Sequence, residues 1–324
     1  MQQPQDWTEP GAQFVAPGVH RIPLSLPLDG PAAVNSYVLE GADGLLVIDP
    51  GWVGPETEQA MTAALRQLGH RLDDITVCLA THHHGDHYSQ AFAWRTTLGC
   101  ALFAGREERH SIDSFLTDVG RFPNHPPLLT RCGATRLAER IARNGEAREG
   151  ADIAHGRPEG WPDHGDVIPL RDGALEVIAT PGHTRGHVVF QHADTRILFS
   201  GDHILPRITP SIGFEWAPEP YPLRSYLRSL ELVRGLPAPH CCLLTAPSPP
   251  APAIESTRFS TTTVSVSTKC VSTSLPARPR PTTWRNRCEG LTEGGNSTNC
   301  HPSTGCPPSW RSPPTSTYSP CTAG

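Results

Sequence analysis

The sequence predicts an α/β protein in which two β-sheets pack face to face and helices cover their outer faces. Short β-branched runs bounded by Gly, Pro and Asp turns recur in two series along the chain. Amphipathic segments of helical period alternate with these runs or follow them. The chain has 324 residues, which is enough to bury a sizeable core.

The first series of strands follows residues 1–15, which we assign to a loose polar N-terminal arm. Pro55 opens a predicted helix that extends to about Leu68, because proline is favoured in the first turn of a helix. A second helix is predicted over 88–98. The strands of this series are predicted at 19–24, 35–40, 44–49, 75–80 and 101–104.

The second series of strands is followed by an amphipathic helix over 222–234. Its strands are predicted at 167–170, 175–179, 187–190 and 196–200. Between the two series lies an insertion, residues 106–165, with helices predicted at 111–116 and 135–144. Prolines at 123, 126 and 127 are expected to break the helical pattern between them.

One stretch brings together side chains that bind metals. Residues 82–87 contain four histidines and one aspartate, directly after the apolar run 75–80. Neutral imidazole nitrogens and carboxylate oxygens are the usual ligands of a metal such as zinc. On a strand-to-helix loop these side chains can converge, so the stretch predicts a site for two neighbouring metal ions.

The motif His82-x-His84-x-Asp86-His87 resembles the signature of the metallo-β-lactamase superfamily. Further motifs follow in the order of that family: Asp49 ends one strand, His183 lies in a Thr-Pro-Gly-His-Thr segment, and Asp202 ends another strand. This resemblance implies an αββα four-layer sandwich, the metallo-β-lactamase fold, over residues 16–240. It also implies that the insertion 106–165 lies near the substrate pocket.

The resemblance implies six metal ligands: His82, His84, Asp86, His87, His183 and Asp202. The three histidines 82, 84 and 183 would hold one ion, Asp86 and His87 a second, and Asp202 would bridge the two. Two zinc ions are expected, with iron or manganese as alternatives. Three neutral imidazoles leave a fourth tetrahedral position for water, as in catalytic zinc sites. Asp86 would orient the attacking hydroxide, and Asp49 would orient a ligand.

The function that the resemblance implies is metal-dependent hydrolysis of an ester-like carbonyl. The segment 180–184 and Gly85 look most like the thioesterase, glyoxalase II-like branch, so a thioester or lactone is expected rather than a β-lactam. Two alternatives remain: a mono-iron oxidoreductase of the same fold that handles a persulfide or dioxygen, and an inactive metal-binding member. Zinc content favours hydrolysis and iron content favours the redox function.

Charge and composition limit the expected partners to a small-molecule substrate. The formal net charge of -5 provides no basic surplus for nucleic acid. No run approaches the roughly 20 apolar residues that span a membrane, and the N-terminus lacks the pattern of a signal peptide. We therefore expect no nucleic-acid or membrane partner and a cytoplasmic location. The histidines at 20, 70, 155 and 164 have no partner pattern and are expected on the surface.

The composition changes abruptly after His240. Residues 241–324 contain 28 Ser or Thr, 13 Pro, seven Cys and no Asp, so this low-complexity tail should not form a packed core. It is either a disordered extension or the product of a shifted reading frame. A one-base shift turns Cys241 and Cys242 into Leu without ambiguity, because both are TGY codons that follow a pyrimidine. The next four codons are then compatible with Pro-Ala-His-Gly.

This shift has a chemical consequence. A strand end of the Leu-Leu-Pro-Ala-His-Gly type is where the resemblance expects the last metal-binding histidine. The written sequence has Thr245 at that position, so the second metal would bind weakly and activity would be impaired. His240 lies five residues earlier and would replace the missing ligand only if its strand slipped.

Overall fold

The computed structural model describes residues 8–27, 32–117, 124–145, 155–205, 208–237 and 240–242. Within these ranges the chain forms one six-stranded and one five-stranded β-sheet. Thr245 and the rest of the tail from residue 243 lie outside the described residues. The hypothesis of a shifted frame therefore stays a prediction.

The first sheet is built from the N-terminal half of the chain, with its strands in sequential order. They are β1 (Gln13–Ala16), β2 (Val19–Ser25), β3 (Ala33–Glu40), β4 (Leu45–Ile48), β5 (Ile75–Ala80) and β6 (Ala101–Ala104). Neighbours from β1 to β4 are antiparallel, whereas β4, β5 and β6 are parallel. The C-terminal ends of β4 and β5 consequently meet at one edge of the sheet.

The second sheet contains β7 (Val167–Pro169), β8 (Ala174–Ala179), β9 (Val188–His192), β10 (Ile197–Phe199) and β11 (His240–Cys242). Their order is β11-β10-β9-β8-β7. Neighbours from β7 to β10 are antiparallel, and β11 runs parallel to β10. The parallel pair directs the C-terminal ends of β10 and β11 to the same edge.

Six α-helices complete the described part of the chain. They are α1 (Pro55–Gln67), α2 (Gly85–Thr97), α3 (Arg109–Leu116), α4 (His125–Arg131), α5 (Thr135–Gly145) and α6 (Pro222–Arg234). None of these helices has the length and apolar character needed to cross a membrane.

The main core lies between the two sheets. Alternate strand residues such as Leu79 and Phe103 face inward from the first sheet, and Phe190 and Phe199 face them from the second. The rings of Tyr37 and Phe199 meet edge to face with centroids 4.9 Å apart. Burial of these large side chains is the main contribution that holds the sheets together.

Helices cover the outer face of each sheet. On the first sheet, Cys78 and Leu102 pack against Leu65 of α1 and Trp94 of α2. On the second sheet, Val189 packs with Val233 of α6. This layering confirms the predicted αββα sandwich.

The structure corrects two local predictions. The assigned arm 1–15 includes most of β1, which pairs with β2 as an edge strand; Phe14 of this strand is 70% exposed, so its pattern lacks a buried face. The helices predicted at 111–116 and 135–144 are separate, as α3 and α5, but the prolines at 126 and 127 begin a further helix, α4, which was not predicted. Proline is tolerated in the first turn because the amide groups there have no partner within the helix.

Phe190 provides a test of the inter-sheet core. Replacing this fully buried residue (Phe190→Ala) should lower the free energy of unfolding by about 3–5 kcal/mol, measured by urea denaturation. The control Leu232→Ala, at a side chain that is 42% exposed, should change it by less than about 0.5 kcal/mol. Equal stability of the two variants would contradict the assigned core.

Candidate metal centre

Four loops that follow strand ends meet at one edge of the sandwich. They follow β4, β5, β8 and β10. Gly201, after β10, has a φ of 50°, and a Cβ there would lie 2.6 Å from Thr81 Oγ1 and 2.7 Å from His187 Nε2. Only glycine permits this close approach, which brings the loop after β10 against the loop after β5.

Three histidine nitrogens face one another at the centre of this edge. His82 Nε2 and His84 Nδ1 are 3.0 Å apart. His183 Nε2 lies 3.2 Å from His82 Nε2 and 3.1 Å from His84 Nδ1. The structure thus brings together the three histidines that the sequence predicts for one ion.

Carbonyl groups fix the tautomers of two of these rings. His84 Nε2 donates a hydrogen bond to the Phe214 carbonyl at 2.9 Å, and His183 Nδ1 donates to the Ser211 carbonyl at 2.7 Å. A carbonyl oxygen only accepts, so these nitrogens carry the ring protons. When each of these rings carries a single proton, its opposite nitrogen presents a lone pair to the centre.

The third ring is fixed through a hydroxyl group. The Thr81 hydroxyl donates to Asp49 Oδ2 at 2.7 Å, so its oxygen accepts from His82 Nδ1 at 3.1 Å. Burial and then the charge of neighbouring histidines hold the pKa of His82 well below its usual value. Its ring is therefore neutral, and its Nε2 lone pair also faces the centre.

This arrangement of nitrogens fits a cation. Burial, followed by the neighbouring His183, likewise holds the pKa of His84 well below its usual value. Nitrogens that face one another with lone pairs cannot form hydrogen bonds among themselves. A tetrahedral zinc ion with Zn–N bonds of about 2.0 Å separates its ligand nitrogens by about 3.3 Å, close to the distances observed here.

A second group of potential ligands shares His82 with the first. Ligand atoms of His82, His87 and Asp202 lie within 4.8 Å of one another. His87 Nε2 is 3.5 Å from Asp202 Oδ1 and 3.5 Å from Asp86 Oδ2. Both His87 Nε2 and Asp202 Oδ1 are buried without a hydrogen-bond partner among the described residues. Such buried polar atoms are costly, and a second cation between them would satisfy both.

Asp49 holds the histidine of this second group. Its Oδ2 accepts a hydrogen bond from His87 Nδ1 at 2.8 Å, and its Oδ1 accepts from the Thr81 amide at 2.7 Å. Asp49 is fully buried and has a φ of 51°, which turns the chain sharply after β4. As predicted, this carboxylate orients a histidine, and its bonds leave His87 Nε2 directed at the two other carboxylates.

A second buried cluster, which the sequence did not reveal, lies behind the histidine loop. It consists of His83, Glu108 and Glu215, all fully buried. His83 Nδ1 bonds Glu108 Oε2, and the Thr184 hydroxyl donates to Glu108 Oε1. Burial and the nearby Glu108 raise the pKa of Glu215 to about 7. No local spacing links these residues, because 25 positions separate His83 from Glu108 and still more separate either from Glu215.

Three other histidines are buried near the centre. His187 stacks on His82 with ring centroids 5.2 Å apart, and His203 is also buried. The surface prediction for His155 is wrong: the residue is 9% exposed, and its Nε2 bonds the His83 carbonyl at 2.8 Å. Its aromatic contacts with Tyr88 and Phe115 explain the burial, and these residues are distant in sequence.

The register of β11 shows whether His240 can replace the metal-binding histidine expected at position 245. His240 pairs with Ile197 at the beginning of β10, and Cys242 pairs with Phe199 at its end. The loop with Asp202 follows that end. His240 therefore begins β11 away from the metal edge, which counts against its replacing the missing histidine.

The chain belongs to the metallo-β-lactamase superfamily, whose sequence pattern matches residues 29–242. It is similar to a hydroxyacylglutathione hydrolase of Methylococcus capsulatus, with 27% identity over 212 residues that cover 64% of this chain and 60% of the relative. A hydroxyacylglutathione hydrolase of Cereibacter sphaeroides is 28% identical over 221 residues, covering 67% and 64%. The chain thus spans about three fifths of the length of these relatives.

Solved structures support the fold. A metallo-β-lactamase family protein from Thermus thermophilus matches with a TM-score of 0.56 and 24% identity, covering 68% of this chain and 71% of that protein. A β-lactamase domain protein from Burkholderia ambifaria matches with a TM-score of 0.54 and 22% identity, covering 73% and 71%. At these identities, the likeness concerns the fold alone.

The role of Asp49 leads to a prediction. The variant Asp49→Asn loses the carboxylate that orients His87, so total zinc affinity should fall about 10–100-fold, measured by competition with a chromophoric chelator. The exposed control Asp172→Asn should leave affinity unchanged. Native affinity in Asp49→Asn would show that the residue does not support the metal centre.

Proposed function

We propose that this chain is a zinc-dependent hydrolase that cleaves a thioester. The observation that carries this proposal is the convergence of three imidazole nitrogens beside aspartate carboxyl groups. His82, His84 and His183 would hold the first ion, and His87, Asp202 and Asp86 would hold the second. When bound, zinc ionises water near neutral pH and polarises the carbonyl to be cleaved.

We assign to Asp86 the role of proton acceptor for the attacking water. Burial raises the pKa of its carboxyl, but the charge of neighbouring His87 outweighs burial and lowers the pKa overall. With His87 neutral as a metal ligand, the bound cation would supply this positive charge instead. Asp86 is therefore ionised at neutral pH. Its side chain is 19% exposed, so water can reach it. Its position in the first turn of α2 further favours the charged form. The carboxylate can accept a hydrogen bond from the attacking water and orient it.

The relatives favour a thioester as the substrate. The two relatives described above are named hydroxyacylglutathione hydrolase, a name that indicates hydrolysis of an acyl derivative of glutathione, which is a thiol. A lactone is the second candidate because it presents the same ester-like carbonyl. We rank a β-lactam below both.

The second metal site would be incomplete in the chain as written. Its ligands would be His87, Asp86 and Asp202. A histidine at position 245, where the sequence has Thr, would add a further ligand to this site. We therefore propose that the first ion binds tightly, that the second binds weakly, and that activity is reduced accordingly.

Metal analysis together with a substrate panel tests the proposed function. The purified protein should contain zinc and should hydrolyse thioesters faster than lactones or β-lactams.

The variant Asp86→Asn should lower kcat by about 10²–10⁴-fold, because it removes the proton acceptor.

The same exposed variant Asp172→Asn is the control for this loss. Bound iron without thioester hydrolysis would replace the proposal with the oxidoreductase function. Bound zinc without hydrolysis of any panel member would favour an inactive metal-binding protein.

A replacement of the tail tests the shifted frame. The segment from Cys241 to Ala246 is exchanged for Leu-Leu-Pro-Ala-His-Gly, followed by the shifted-frame translation. Zinc bound after dialysis should rise from about one to about two equivalents, with higher thioesterase activity. The matched control carries alanine in place of that histidine. Equal stoichiometry in both replacements would contradict the missing-ligand argument.

A further inference from the structure

The histidines of the first metal site depend on one short segment that contains none of the metal ligands. This bridging segment, residues 211–216, lies between β10 and α6. It supplies the carbonyl acceptors of two of the three rings, Ser211 for His183 and Phe214 for His84. The position of this segment therefore determines which nitrogen of each ring bears the proton and where each ring points.

Glu215 is the buried anchor of the bridging segment. Its Oε1 accepts a hydrogen bond from the Arg185 amide at 2.7 Å, two residues after His183. Its Oε2 accepts from the Ser111 hydroxyl of α3 at 2.7 Å. Ser111 Oγ in turn accepts from the Ala217 amide at 3.1 Å. A single carboxyl group thus links the segment to the loop of His183 and to a helix of the opposite sheet.

Backbone contacts fix the other end of the segment to the same loop. The Gly213 amide donates to the carbonyls of Gly182 and His183, at 3.0 and 3.1 Å. Asn124 Nδ2, next to α4, donates to the Trp216 carbonyl at 2.7 Å. Phe214 therefore lies between two residues that are held in place. Gly213 is held through its backbone amide, and Glu215 is held through its buried side chain.

The cluster of His83, Glu108 and Glu215 is also a possible cation site, but its hydrogen bonds argue against one. Each oxygen of the two carboxyl groups already bonds a described partner: Glu215 bonds Arg185 and Ser111, and Glu108 bonds His83 and a threonine hydroxyl. A cation would have to displace these donors from a fully buried space. The cluster is therefore better suited to hold loops than to bind metal.

We propose that Glu215 is a positioning residue for the first metal site, acting through the bridging segment on the rings of His84 and His183. This inference rests on the proposed metal-dependent function. It assigns a role in metal binding to a side chain that does not contact the metal.

The test uses Co²⁺ in place of zinc, since the visible absorption of Co²⁺ reports its coordination geometry. In Glu215→Ala the affinity of the first site should fall about 10–100-fold and the absorption bands should change. In Glu215→Gln the amide oxygen can accept from Arg185 and the amide nitrogen can donate to Ser111. This variant should therefore restore the native spectrum, with affinity within about threefold of wild type. The control Glu231→Ala, on the exposed face of α6, should match wild type.

A native spectrum and affinity in Glu215→Ala would overturn the positioning role while leaving the proposed function intact. Failure of the wild-type protein to bind Co²⁺ or zinc would overturn both. If circular dichroism shows that Glu215→Ala does not fold, Ser111→Ala decides the question. This variant removes one of the two donors, so it should weaken Co²⁺ binding and shift the bands in the same direction, whereas native behaviour would refute the proposal.

Discussion

Three imidazole lone pairs directed at a common point are unfavourable unless a cation lies between them, and this constraint explains much of the surrounding structure. Each ring is held in that orientation by an acceptor at its other nitrogen, two of them carbonyls and one a hydroxyl. Burial keeps His82 and His84 neutral by lowering the pKa of each ring, which favours metal binding over protonation. Metal binding would offset the cost of burying these polar rings.

The sandwich provides the rigidity that this centre needs. Strand ends from both sheets deliver the ligand loops, and the Val188 amide bonds the Thr81 carbonyl at 2.9 Å across the junction. Gly201 lets the loop of Asp202 approach without a side chain in the way. Because both sheets are locked by a common core, small movements of a single loop are resisted by its neighbours.

Much of this arrangement is visible in the sequence, for identifiable reasons. The strands have clear β-branched runs, and the histidine loop is local, so its ligands can be recognised by spacing alone. Glu108 and Glu215 could not be recognised, because each gains its partners only through tertiary contacts with residues distant in sequence. The same holds for His155. The edge strand β1 lacks a buried face, so its pattern predicts no strand.

The position of β11 as the last strand of the second sheet affects whether a gene with a shifted reading frame could persist. β11 (His240–Cys242) completes the five-stranded sheet, and the change of composition begins within it, after His240. A shift of frame there would alter Cys241 and Cys242 of β11 and the residues beyond them, and it would leave the other described strands unchanged. A gene damaged at this codon would therefore still encode a chain that folds and accumulates. Selection would detect the damage through lost turnover alone, so such copies can persist wherever a second gene supplies the activity.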